Sequence, residues 1–304
     1  MKIDLVIIDP QNDFCFPDMT NAVKDFQHDF VGVDDHLDKF ISRTYSKMGP
    51  GNLFVPGAYE DMERLAKFVD RVGTSLNDIH VTLDTHHKVD IAHPIFWVGK
   101  DGKHPDPFTI ISVDDIDNGV WRTFNPSMQA RANDYVKQLA SNNRYPLCIW
   151  PPHCLIGTWG HNVVEPLNGA LSRWEDQFAF VDYVTKGSNM WTEHYSAIKA
   201  DVPDPVDTTT DLNEPFIKTL KDADIILLSG EARSHCLANT VYDIADEFDK
   251  DSNELVKKMH LLTDATTDVA DPPGTTMFTD MGEAFIKNMT GRGMQLTTTE
   301  EFLR

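Results

Sequence analysis

Asp224-Ile225-Ile226-Leu227-Leu228-Ser229-Gly230-Glu231-Ala232-Arg233-Ser234-His235-Cys236 contains a strand, a turn and a helix start in one short run. The apolar stretch over 224–228 reads as a buried strand, Ser229 and Gly230 break it, and an amphipathic pattern begins near Cys236. Near-continuous apolar character of this kind fits a parallel strand covered on both faces. A thiol at the start of the following helix feels the positive end of the helix dipole, which favours the nucleophilic thiolate. One segment therefore predicts both a sheet type and a candidate nucleophile.

Outward from it, similar apolar runs predict strands over 4–8, 79–83, 147–150, 180–184 and 259–262, with an edge strand over 294–296. Between and after them, helical patterns cover 60–72, 128–140, 163–171, 214–220, 237–247 and 276–289. The alternation predicts an α/β fold with a doubly wound, mostly parallel sheet of about six strands, in a single domain over 1–304. Two polar stretches, 18–52 and 99–125, break the alternation and read as insertions. Surface elaboration and a lid or homo-oligomer contact both fit them.

The chain carries a net charge of −21, which disfavours binding to nucleic acid or to an anionic membrane. No run of 18 apolar residues occurs, and residues 1–10 already form a strand pattern containing Asp4 and Asp9 rather than a signal peptide. A cytoplasmic protein is expected. Its four cysteines, Cys15, Cys148, Cys154 and Cys236, are read as free thiols, because a chain this long does not need a disulfide framework.

Ligands of an open parallel sheet gather beyond the carboxyl ends of its strands, and four groups of reactive residues fall there. Asp9 ends the first strand, in Asp9-Pro10-Gln11-Asn12-Asp13-Phe14, where an acid is also a common turn former. Lys186 precedes Gly187 after the run over 180–184. In one crevice with Asp9 and Cys236, it would orient the carboxylate and favour the ionised thiol, giving an activated nucleophile with a carboxylate base. Asp84-Thr85-His86, His93 and Trp150-Pro151-Pro152-His153-Cys154 form the fourth group. One carboxylate and three imidazoles suit zinc, iron or manganese, with positions left for water or substrate. Spacing alone leaves metal binding and accidental clustering both open, because His87, His104 and His161 are also close in sequence. Cys148 fits an inert buried thiol, as does Cys15, whereas Cys154 follows a histidine near a strand end and rivals Cys236 as nucleophile or ligand.

Taken together, these motifs resemble the nicotinamidase and isochorismatase-like cysteine hydrolase family, in the family's order. The matching segments are residues 9–14, Asp84-Thr85-His86 with His93, Trp150-Pro151-Pro152-His153-Cys154 with Gly157-Thr158, Lys186-Gly187 with Tyr195-Ser196, and Gly230, Ala232 and Cys236. Leu262-Thr263-Asp264-Ala265 is similar to the family's last strand. The resemblance implies a Rossmann-like three-layer sandwich and a catalytic triad of Asp9, Lys186 and Cys236. It implies an oxyanion hole from the backbone N–H groups of Ala232 and Cys236, and a cis peptide between Glu231 and Ala232. It makes Asp84, His86, His93 and His153 ligands of one divalent metal ion, zinc first, and places Phe14, Trp150 and Tyr195 against the substrate. The activity implied is that of the nicotinamidase branch, deamidation of the small molecule nicotinamide in NAD salvage. Hydrolysis of another small amide, such as a ureido or carbamoyl compound, and a catalytically silent metal-binding scaffold are the competing readings. Two residues depart from the family's pattern, Glu231 and Arg233, where it usually has a small or apolar residue and an uncharged one. They predict an internal ion pair or an altered pocket. The stretch between Pro17 and Pro56 is expanded.

Overall fold

The structure, a computed structural model, describes residues 1–17, 50–142 and 144–304. In chain order its first elements are β1 (Ile3–Ile8), α1 (Asn12–Cys15), α2 (Ala58–Val72), β2 (Asp78–Asp84), β3 (Trp97–Gly99), β4 (Ile110–Ile111), α3 (Val113–Asp117) and β5 (Trp121–Thr123). Then come α4 (Gln129–Ser141), β6 (Leu147–Cys148), α5 (Glu165–Glu175), β7 (Asp182–Lys186), α6 (Glu214–Asp222) and β8 (Ile225–Gly230). The chain continues through α7 (Cys236–Asp249), β9 (Met259–Leu262), α8 (Met277–Arg292) and β10 (Gln295–Thr297).

Six strands form one parallel sheet in the order β10-β9-β8-β1-β2-β7. The centre is apolar on both faces because β1 and β8 have helices on either side: Leu5, Ile7, Leu227 and Leu228 are completely buried. Burying each such side chain is worth about 1.5–3 kcal/mol, so these two strands anchor the three-layer α/β sandwich. On α2, Met62, Leu65, Ala66, Val69 and Val72 recur at helical spacing and face inward, and this helix packs against α5. On the other side α7 packs against α6 and α8.

From β1 the strand order runs outward to β2 and β7 on one side and to β8, β9 and β10 on the other, so the crevice of a doubly wound sheet opens where the parallel neighbours β1 and β8 end, at Asp9 and Gly230. Gly230 has φ +106°, and a Cβ there would stand 2.1 Å from the Ile8 carbonyl oxygen. Only glycine lets the end of β8 lie so close to β1.

Two strand expectations need correction. The run over 147–150 does not enter the main sheet: only Leu147–Cys148 is a strand, paired antiparallel with β4. Ile149 and Trp150 instead donate their amides to the loop carbonyls of Thr109 and Ala92, at 2.9 and 2.8 Å. Pro151 and Pro152, which lack amide protons, then rule out a longer ladder. The run over 180–184 is displaced, since β7 starts at Asp182 and Phe180 is 86% exposed. With a partner on only one side, this edge strand exposes Tyr183 and Thr185 instead of being covered on both faces.

The 99–125 insertion is structured. Its strand β5 pairs with β3, its strand β4 pairs with β6, and Ser112 closes a capping box on α3. Of the 18–52 insertion, residues 18–49 lie outside the described residues. Gly51 and Asn52 close onto α1, with Gly51 donating to the Phe16 carbonyl and Asn52 to Asp13 Oδ1.

Candidate active site

β1, β2, β7 and β8 end side by side, and each delivers a reactive group to the same crevice. Asp9 follows β1 with φ +45°, completely buried. Its amide donates to Thr82 Oγ1 at 3.0 Å, and the Thr82 hydroxyl donates to Asp9 Oδ1 at 2.5 Å. Lys186, the last residue of β7, sends its ammonium between two carboxylates, 2.9 Å from Asp9 Oδ2 and 2.9 Å from Asp84 Oδ1. It also donates to the His194 carbonyl at 2.8 Å and lies 3.6 Å from Cys236 Sγ. Gly187 turns the chain away with φ +83°, and a Cβ there would crowd Asp84 Oδ1 at 3.1 Å.

Burial controls the ionisation of this cluster, with charge neighbours deciding the direction. Burial pushes Asp9 above the usual carboxylate range even though the Lys186 ammonium pulls it down. Asp84 feels the same burial, but His86 and Lys186 overcome it and hold the carboxyl well below its usual range. Burial alone would discharge Lys186, yet Asp84 and Asp9 raise its pKa well above the ordinary value. The Cys236 thiol is raised well above its usual value by burial, with Lys186 opposing and the Asp9 and Asp84 carboxylates adding to the rise. At this helix start burial outweighs the Lys186 ammonium, so the thiol needs a base to take its proton.

Asp84 divides its two oxygens between neighbouring tasks. Oδ1 meets Lys186, while Oδ2 lies 3.0 Å from His86 Nε2 and 3.2 Å from His153 Nε2. Donor atoms of Asp84, His86 and His153 all fall within 4.8 Å of one another. The outer nitrogens are already engaged: His153 Nδ1 faces the Pro151 carbonyl at 2.8 Å and His86 Nδ1 faces Asp90 Oδ2 at 3.1 Å. A carbonyl only accepts, so Nδ1 of His153 carries a proton, and a ring with no second proton would turn its Nε2 lone pair toward a carboxylate oxygen. Two acceptors face each other stably only across a proton or a cation. Without a metal, Asp84 and Asp90 outweigh burial and raise His86 well above its normal pKa, which meets the same need with a proton. His93 stands outside this trio, its ring 5.1 Å from His86 and 5.6 Å from His153 between centroids. Its buried Nε2 has no hydrogen-bond partner, as expected of a nitrogen turned toward a cation. The residues therefore fit a divalent ion, with a carboxylate and imidazoles as its donors.

Phe14, Trp150 and Tyr195 line one narrow pocket together with Ala232 and Cys236. The Trp150 indole N–H donates to Tyr195 Oη at 3.1 Å, which sets the two rings edge to face. Two further lining residues escaped the sequence reading. His235 packs among Trp150, Tyr195, Tyr145 and Phe278, and burial lowers its pKa to about 3, so the ring is neutral. Its position next to Cys236 was the available signal. Glu193 is raised to about 7, burial being the main cause, and its Oε2 lacks a hydrogen-bond partner. It lies in an irregular stretch with no periodicity to mark it.

Ala232 precedes Cys236 in a turn whose Glu231–Ala232 peptide is cis. The amides of Ala232 and Cys236 donate to no group among the described residues. Cys154, the rival thiol, is completely buried outside the pocket lining, with its amide held by Asp13 Oδ2 at 2.7 Å. Arg233 pairs with Asp268 rather than with Glu231, so only one of the two departures from the family pattern is in an ion pair.

No family model matches the chain, and no curated relative matches it. Solved structures do. The yeast nicotinamidase bound to the inhibitor nicotinaldehyde aligns at TM-score 0.58 and 17% identity, covering 97% of this chain and 99% of that one. An Acinetobacter baumanii nicotinamidase/pyrazinamidase aligns at 0.55 and 18% identity over 99% and 98%. The L. infantum protein PnC1 in complex with nicotinate aligns at 0.50 and 15% identity over 98% and 93%. Likeness at such identities speaks to architecture alone: the described residues share the fold of these structures.

Proposed function

We propose that this protein is a metal-assisted cysteine amidohydrolase that converts nicotinamide and water to nicotinate and ammonia. The observation that carries the reading is the Lys186 ammonium, 2.9 Å from both Asp9 and Asp84 and 3.6 Å from Cys236, with Asp84 and Cys236 themselves lining the aromatic pocket. Thiol, base and cation are within reach of one another, and Phe14, Trp150 and Tyr195 would offer aromatic contacts to a planar ring.

Asp9 takes the Cys236 proton, and the thiolate attacks the carboxamide carbon. Lys186 balances the charge as the proton crosses, because it contacts both partners. The unengaged amides of Ala232 and Cys236 hold the developing oxyanion; one such donor is typically worth about 2.7–4 kcal/mol. Asp9 then returns its proton to the departing nitrogen, and ammonia leaves. The raised pKa of Asp9 suits it to both transfers. Water activated by Asp9 cleaves the thioester, giving nicotinate and restoring the thiol. Asp84, His86 and His153, with His93 beside them, would hold a divalent ion, zinc being the best match to this donor set ahead of iron or manganese. Bound there, the ion supplies a Lewis-acidic anchor for the pyridine nitrogen.

Ammonia release from nicotinamide, compared with a panel of small amides, tests the reading. The wild type is expected to turn over nicotinamide, and Cys236→Ala to show no thiol-dependent turnover. Rapid turnover of a different amide, with none of nicotinamide, would reject the substrate. Full activity in Cys236→Ala would reject the mechanism.

A further inference from the structure

Glu231, one of the two departures from the family pattern, stands at the end of β8 next to Ala232 and is completely buried. Three backbone hydrogen bonds pin the surrounding turn: Gly230 donates to the Ala265 carbonyl, Glu231 to the Ile8 carbonyl and Arg233 to the Thr267 carbonyl, at 3.0, 2.7 and 2.9 Å. The side chains continue this lacing. The Thr267 amide donates to Glu231 Oε2 at 3.2 Å, and the Thr267 hydroxyl donates to Asp61 Oδ2 at 2.5 Å.

Asp61, buried on α2, is raised by burial, but it also contacts the Arg64 guanidinium and accepts from the Thr267 hydroxyl, and both partners oppose that rise. Glu231 has no cation of its own. Its Oε1 meets no N–H or O–H donor, and the acidic group facing it is the Asp61 carboxylate. Two buried carboxyl groups sit together stably only when one of them keeps its proton. The surrounding charges agree. From α1 the Cys15 thiol faces the pair, from α2 Asp61 and Arg64, and from the loop after β9 Asp268, whose charge is taken up by Arg233. Glu283 of α8 adds negative charge beside Arg233.

We infer that Glu231 is a positioning residue which acts as a neutral carboxylic acid, donating its proton to Asp61 and so holding the Ala232 turn in register with Cys236. The inference rests on the proposed amidohydrolase reading, which gives that turn its task. Burial and the Asp61 charge raise the Glu231 pKa well above the ordinary value, so the acid form persists at neutral pH. Loss of the proton at alkaline pH places a second negative charge beside Asp61 in a dry site, and the turn must move.

The test pairs turnover with thermal stability, each across pH, for wild type, Glu231→Gln and Glu231→Ala. Glutamine keeps a donor toward Asp61 but has no proton to lose; alanine keeps neither. With Glu231→Ala, kcat is expected to fall about tenfold to a hundredfold while KM stays within about twofold, as for a defect felt in the transition state. Glu231→Gln is expected to recover most of that loss and to move the alkaline limb of kcat upward by about one pH unit or more.

Stability provides a readout that does not depend on the substrate. A carboxyl whose folded pKa is raised contributes stability that is fully present below its unfolded value and is lost as pH rises toward the folded one. The melting temperature of wild type should therefore decline relative to Glu231→Gln as pH rises. Parallel melting curves for the two proteins would overturn the neutral acid. An alkaline limb unmoved in Glu231→Gln would overturn the positioning role. If nicotinamide is not turned over at all, the proposed function fails while the melting comparison still decides the acid pair.

Discussion

Asp84 is the residue on which the two halves of the site depend, because one oxygen serves the lysine and the other serves the histidines. Asp84→Asn should therefore weaken both. Metal affinity and kcat/KM are each expected to drop by about a hundredfold or more, given that even outer partners of metal ligands are worth about 10–100-fold. Metal content after dialysis, measured alongside ammonia release, checks this; loss of only one would show that the halves are independent. Lys186 has a different signature. Lys186→Met leaves Asp9 and Asp84 buried without their cation. Removal of one partner from a buried charge pair costs about 3–5 kcal/mol, so denaturant unfolding should report a loss of that order together with loss of turnover. A variant as stable as wild type would mean that the carboxylates are protonated in the resting protein.

Among the elements, β1, β2, β8 and β9 were legible because their apolar runs coincide with strands covered on both faces. Cys236 opens α7 as the strand–turn–helix pattern requires, whereas Asp9, read as the end of the first strand, follows β1, and Lys186, read as lying past its strand, is the last residue of β7. The errors have physical causes. An apolar run over 147–150 shows that a segment is buried, without showing which partner it pairs with, and here loop carbonyls won. Phe180 and Tyr183 mimic an interior strand although they lie at an open edge. Glu193 and His235 were missed because irregular backbone carries no period, and the neighbours that define Glu231 and Arg233, the Asp61 carboxyl and the Asp268 counter-ion, are far from them in sequence. Near the amino ends of the strands, His80 on β2 faces Asp182 of β7 at 2.8 Å and Asp4 of β1 at 3.9 Å. Burial opposes its charge, yet these two carboxylates raise its pKa above the usual value. The sign follows: this contribution is fully present below the unfolded pKa of histidine and is lost as pH rises through the folded one. His80→Gln should be less stable than wild type at about pH 5–6 and approach it above about pH 8 in urea titrations. A constant difference across that range would assign His80 a packing role only.

At the scale of the whole molecule, a strand-order reversal at β1 and β8 creates the crevice, and every candidate reactive group arrives at it from the end of a strand or the loop just beyond. Closeness of those strands depends on Gly230. Gly230→Ala forces a methyl group against the Ile8 carbonyl at a left-handed φ, and a loss of at least about 2 kcal/mol is expected in denaturant unfolding, with a displaced oxyanion turn. Unchanged stability would show that the β1–β8 contact relaxes freely. Among the described residues no helix is long and apolar enough to cross a membrane. The central claim is that Cys236 forms a thioester with the substrate's acyl group, and trapping that acyl group tests it most directly. Turnover of nicotinamide in the presence of hydroxylamine should divert part of the product to nicotinohydroxamate in wild type and yield none in Cys236→Ala. Equal hydroxamate from the two proteins, or nicotinate formed by wild type with no hydroxamate at any hydroxylamine concentration, would contradict the account.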